Sequence, residues 1–424
     1  MRILSALPLI LAITLPQPAF AQVAAADSGD TAWMILCALL VLMAALPGLM
    51  LRHAGQANVR GALAVATQGA AVVAVASLTW AIAGYSLTYA PGSRWLGGGA
   101  NLLLANLGQL RDGLTVPETA FVLFQMALAL LALTTLTGAV MERARIGWII
   151  AFAPLWMLIV YAPIAHAIWG GGWLAELGVM DFAGGLTVHA TTGFSALALA
   201  LIAGRRQQAP ALPGHAPLLS LAGSALLWIG LSGAVGGWAL GATDDAATAI
   251  LNHHFAACAA ALTWATIDRM LTGKTSATGF LSGAVAGIAA ISASAALVGT
   301  GGAMMIGALA ALLCRIGAGL LEGRVDDGAH LFAVHGLAGA VGALALPIFA
   351  LPVLGGVGFE ANTGLSSALL SQGIGLTVVA IWAIVGSAMA ALIISVLLPM
   401  RGSAADEAEG LDAVQHGQQA WDFR

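Results

Sequence analysis

Eleven long apolar runs dominate this chain and leave few folds open to it. They fall at about 30–51, 61–84, 118–141, 146–168, 183–203, 217–241, 247–267, 278–298, 302–321, 329–352 and 370–399. A helix needs about 20 apolar residues to cross a hydrocarbon core about 30 Å thick, and each run approaches or exceeds that length. The runs are continuous rather than alternating ten-residue segments, which argues for helices and against a barrel of strands. With 60% hydrophobic and 8% charged residues in 424, one soluble core could not hide this much apolar surface. The expected fold is therefore an all-α polytopic membrane protein with eleven transmembrane helices.

The ends and the charges suggest how such a protein sits. Residues 1–21 carry Arg2, a short apolar stretch and Ala19-Phe20-Ala21 before Gln22, the pattern of a cleaved secretory signal peptide. An uncleaved first helix is the alternative, which Pro16 and Pro18 disfavour. Cleavage puts the new N-terminus outside, and eleven crossings then put the C-terminus in the cytoplasm. Charge agrees: loops expected inside hold Arg52, Arg60, Arg143, Arg145, Arg205, Arg206, Arg269, Lys274 and Arg324, whereas outer loops hold only Arg94 and Arg111. Residues 22–400 read as one membrane domain, and 401–424 as a cytoplasmic tail. A net charge of -4 with scattered basic residues gives no face for nucleic acid. Cys37, Cys258 and Cys314 each lie in an apolar run, so no disulfide framework or cysteine zinc site is expected.

Two segments carry the chemistry. "DFAGGLTVH" runs from Asp181 to His189 and "DGAHLFAVH" from Asp327 to His335, with the same spacing. The chain enters the membrane from opposite faces at the two places. Eight helical residues rise about 12 Å, so both imidazoles would approach the midplane from their own sides. Five spans of opposite orientation on either side of such a pair make a 5+5 inverted repeat, the architecture that sets transporter sites between its halves. Either histidine alone could simply hydrogen-bond a neighbouring carbonyl. Asp181 and Asp327 read as helix caps, and Asp181 also lies near the outer mouth, where it could attract a cation. Nine histidines include the adjacent His253 and His254, but no H-E-x-x-H occurs and the two rings face different ways, so an intramembrane metal enzyme finds little support.

These residues resemble the ammonium transporter (Amt/MEP/Rh) family over nearly the whole mature chain. The resemblance rests on "PIAHAIWGGGWLAELGVMDFAGGLTVH" at 163–189, "VDDGAHLFAVHG" at 325–336, "GAVMERAR" at 138–145 and "GLDAVQHGQQAW" at 410–421. It implies an eleven-helix fold, a homotrimer with one pore per subunit, a bacterial inner-membrane location, and no enzyme activity or cofactor. It also implies a twin-histidine pore and proton relay at His189 and His335, and an outer recruitment site at Trp169, Phe124 and Gln125, where ammonium is held by cation-π attraction worth roughly 0.5 to 2 kcal/mol. Ammonium would lose a proton at the mouth and cross as ammonia, whereas potassium has no proton to lose and stays out. The tail implies a PII-type signalling protein as a cytoplasmic partner.

The chain also departs from the family. The two stacked phenylalanines expected above the histidines are Leu128 and Ala234 here, and the vestibule's small hydroxyl residue is Trp238. "LMLRHAGQANVR" at 49–60 replaces the usual turn of the first helix, Ser292-Ala293 stands for Thr-Pro, and Gln418 ends the tail's His-Gly motif. The leading expectation is transport of ammonium or ammonia. An ammonium sensor with a partner protein, or a channel for another small neutral molecule, are the alternatives these departures leave.

Overall fold

A computed structural model describes residues 25–206, 214–360 and 363–421. The expected signal peptide lies outside those residues. Among them no strand is present, and nine helices are long and apolar enough to cross a membrane. They are α1 (Ser28–Gln56), α2 (Ala62–Tyr89), α3 (Glu118–Val140), α4 (Ile146–Glu176), α5 (Gly185–Ala203), α6 (Pro217–Gly237), α9 (Thr300–Leu321), α10 (Phe332–Phe349) and α11 (Leu365–Leu397). The seventh and eighth expected runs form α7 (Asp244–Thr272) and α8 (Ala277–Ile291). Helix α7 is diluted by Asn252, His253 and His254, and α8 has only 15 residues.

That short α8 departs from the expected run to residue 298, and the reason is local. Beyond Ile291 the backbone unwinds, and the Phe182 and Ala183 amides donate to the Ala293 and Ser292 carbonyls at 2.9 and 2.7 Å. Unwound carbonyls inside an apolar layer need donors. Asn252 supplies two, its Nδ2 lying 2.8 Å from the carbonyls of both Ala295 and Val298. The polar residue that weakens α7 as an apolar run thus satisfies the end of α8. Glycines set the packing of this pair: a Cβ on Gly287 would come within 2.5 Å of Ala260 Cβ and 2.6 Å of the Ala256 carbonyl. Only bare backbone permits that approach.

Charge clusters at one end of the bundle, here called the basic face. Arg206 reaches Asp326 at 2.7 Å and Glu142 at 2.5 Å, while the buried Arg143 donates to the carbonyls of Gly204 and Ala139. Arg52, expected in a solvated loop, is instead only 2% exposed within α1. The tail folds back on the same face as α12 (Ala404–Glu409) and α13 (Leu411–His416). Asp412 accepts from the Leu63 and Ala64 amides at 3.2 and 2.7 Å, capping the start of α2. Gln415 accepts from the Ile146 amide at 3.1 Å, at the start of α4.

Candidate functional site: a histidine pair beneath an aromatic vestibule

The site begins with two distorted helix starts. Residues 185–190 and 332–337 each form a π-helical turn, widened by one residue, and these turns carry His189 and His335. Such turns are rare overall and frequent at functional sites. The expectation of eight regular helical residues from each Asp to its His does not hold: Gly184 has φ +99°, a left-handed conformation that stops the helix from starting before Gly185.

Each aspartate sits at the mouth of its turn. Asp181 Oδ2 accepts from the amides of Leu186 and Thr187 at 3.1 and 2.7 Å and from the Thr187 hydroxyl at 2.8 Å. Asp327 Oδ2 accepts from the Phe332 amide at 2.8 Å. Burial pushes the Asp181 carboxyl up to about 6, opposed by the hydrogen bonds from Thr187, Leu186 and Gly185. Burial likewise raises that of Asp327.

The two turns cross at glycines. A Cβ on Gly193 would overlap the Gly336 backbone, and one on Gly339 would overlap the Gly185 carbonyl and stand 2.8 Å from the Ala190 nitrogen. This contact brings His189 Nδ1 within 3.0 Å of His335 Nδ1, with the rings tilted by 20°. Both rings are 3% exposed. A nitrogen-to-nitrogen bond between neutral imidazoles needs one ring to donate and the other to accept, so the pair holds opposite tautomers.

Aromatic rings gather on the side of His189 that faces Asp181. Trp169 Nε1 donates to the Asp181 carbonyl at 2.8 Å, which ties it to the same loop. Trp238 packs on Trp169 with ring centroids 4.2 Å apart and meets Phe124 edge-on at 6.3 Å. Trp169, Phe124 and Trp238 are therefore one cluster. Gln125, the next residue of α3, faces about 100° round the helix from Phe124. Its amide is fully buried, with neither its oxygen nor its nitrogen partnered. Leu128 lies one turn below Phe124 on α3, and Leu128 and Ala234 are 0% and 2% exposed.

Sequence reasoning missed three parts of this neighbourhood. The π-turns have no residue signature beyond glycine near each start. The buried ring of His53 lies against Gly138 at the far end of α3, where a Cβ would come within 2.7 Å of Nε2. Trp80, Tyr85, Tyr89 and Tyr161 form an edge-to-face cluster behind the vestibule. The hydroxyl of Tyr85 donates to Glu118 at 2.6 Å.

Residues 32–421 match the model of the Ammonium Transporter Family. The chain belongs to that family. The ammonium transporter of Bacillus subtilis is 33% identical over 400 residues, covering 93% of this chain and 98% of the relative. That of Aquifex aeolicus is 34% identical over 429 residues and the full length of both. Among solved structures, one described as a sensor Amt protein superposes with a TM-score of 0.85 at 27% identity, covering 92% of this chain and 98% of its own. Candida albicans Mep2 does so with 0.82 at 31% identity, covering 89% and 87%. The family resemblance read from the motifs therefore holds, and the chain is a multi-pass membrane protein of a transporter family rather than an enzyme.

Proposed function

We propose that this chain moves ammonium across a membrane, through a path that passes the aromatic cluster and the His189–His335 pair. The observation that carries the reading is the 3.0 Å contact between two buried imidazoles, one from each of two crossing helix starts. An isolated charge in an apolar layer is costly enough that a permeant cation gains by shedding its charge first. Ammonium has a proton to shed; potassium and sodium do not. Trp169 and Phe124 offer ring faces to a cation at the mouth, Trp238 covers Trp169, and the Asp181 loop holds Trp169 in place. Deprotonation there leaves ammonia to cross, and the imidazole pair offers the proton alternating donor and acceptor nitrogens.

The positive-inside bias of Arg143, Arg145, Arg205 and Arg206 supports a cytoplasmic basic face. In this reading the mature chain has eleven spans after loss of residues 1–21, works as a homotrimer in a bacterial inner membrane, and presents the folded tail to a PII-type protein. The names of the relatives favour transport over the sensor reading.

Flux into proteoliposomes tests the proposal. The native protein should admit ammonium and methylammonium but not potassium, and His189→Ala with His335→Ala should change the ammonium signal. Potassium flux equal to ammonium flux, or a double variant identical to native, would refute it.

A further inference from the structure

The histidine pair does not end the trail of buried polar groups. His53 is 2% exposed, and its Nε2 has no hydrogen-bond partner. Buried polar atoms are almost always paired, so this orphan is open to a water or a permeant. Phe124, Leu128, Leu131, Thr135 and Gly138 recur at steps of three and four and so share one face of α3. That face runs from the vestibule to the imidazole of His53.

Gly138 also joins His53 to the second histidine segment. Its carbonyl lies 3.0 Å from where a Cβ of Gly328 would stand, one residue beyond Asp327. Three residues after His53, Gln56 faces the same way, and its Oε1 is likewise buried without a partner. Gln56 lines a cavity of about 290 Å³ at the basic face, together with Ser282, Gly328 and His330. Two unpartnered polar atoms thus lie between the start of the second histidine segment and that cavity.

Arg52 stands beside this route. Its guanidinium donates to the hydroxyls of Ser224 at 2.5 Å and Ser282 at 3.4 Å, and among the described residues no carboxylate forms an ion pair with it. A fixed positive charge there repels a neighbouring imidazolium.

We propose that His53 is a third imidazole of the conduction path, taking the proton that leaves His335 and handing it to the cavity at the basic face. The inference rests on the twin-histidine reading above. The proton moves through intervening water to Nε2, makes a short-lived imidazolium, and departs past Gln56 to cavity water. No bond other than N–H and O–H changes. Arg52 keeps the proton from lodging, and the same charge discourages cations from backing into the pore.

The experiment measures, in proteoliposomes, the ammonium-evoked current and the lumenal alkalinisation that arriving ammonia causes. His53→Gln retains a polar side chain that does not take up a proton, so the ratio of current to alkalinisation should fall at least tenfold. Gly138→Ala, which presses a Cβ to 2.7 Å from Nε2 and shifts the ring, should lower the same ratio, and it carries the test if the first variant does not fold. An unchanged ratio in the folded variants, equal loss of both signals, or native transport without net charge would overturn the assignment. If His189→Ala with His335→Ala leaves both signals native, the twin-histidine reading itself fails, a result separate from any seen at His53.

Discussion

Replacing Gly193 with alanine should separate the two histidines without touching either. The new Cβ would overlap Gly336 and stand 2.9 Å from the His335 carbonyl carbon, where ordinary contact begins at 3.4 Å. Both obstacles are backbone and the overlap with Gly336 is the deeper, so the π-turn of α10 must retreat by at least about 1 Å. The 3.0 Å contact between His189 and His335 then lengthens to about 4 Å, beyond hydrogen-bonding reach. Overpacking costs about 1–3 kcal/mol, and losing the buried bond adds about 1 kcal/mol. Thermal unfolding in detergent should show a destabilisation of about 2–4 kcal/mol, and ammonium flux should fall with it. Gly301→Ala is the control: it lies in α9 with nothing within 4 Å of the added carbon, and should be neutral or stabilise by about 0.5–1 kcal/mol. Native stability and native flux in Gly193→Ala would refute the claim that this glycine crossing sets the imidazole contact.

Three further outcomes are expected. Trp238→Ser, which removes the ring packed on Trp169, should raise initial ammonium flux and shift tryptophan fluorescence to the red; slower flux would mean the ring helps recruit the substrate rather than covering the mouth. Burial raises the Asp326 carboxyl, but Arg206 and Arg143 outweigh it and hold it below the ordinary 3.8. Its stabilisation is therefore complete above 3.8 and lost as pH falls through the lower folded value. Asp326→Asn should cost about 3 kcal/mol near neutral pH and flatten that acid loss, both read from melting curves against pH. Asp412→Ala removes the cap on α2, at about 1 kcal/mol, and should speed protease cleavage of the tail; an unchanged cleavage rate would show that the other tail contacts suffice.

Apolar length was the legible part of the fold, because lipid forces every backbone group to be satisfied within its own helix. The runs place most helices correctly, but they overrun the end of α8, since an unwound backbone fed by Asn252 is still made of alanine and serine. Equal Asp-to-His spacing pointed to a paired site, although Gly184 and the π-turns replace the regular helix on which that spacing was reasoned. Arg52 shows the opposite failure: charge in a sequence suggests a solvated loop, whereas here Ser224 and Ser282, distant in the chain, supply its partners. The Trp169, Phe124 and Trp238 cluster was foreshadowed only by family resemblance, because three aromatics from three helices have no common period.

The nitrogen-to-nitrogen bond between His189 and His335 gives the pair a polarity that the near-symmetric backbone around it lacks. One ring is the giver and the other the taker, and the reverse arrangement is an equally valid state. A proton that travels through both rings leaves behind the reversed arrangement. A second proton in the same direction then meets a blocked file until both rings exchange tautomers. The pair therefore carries a one-step memory of the last passage, and the time it takes to reset bounds how often it can be used.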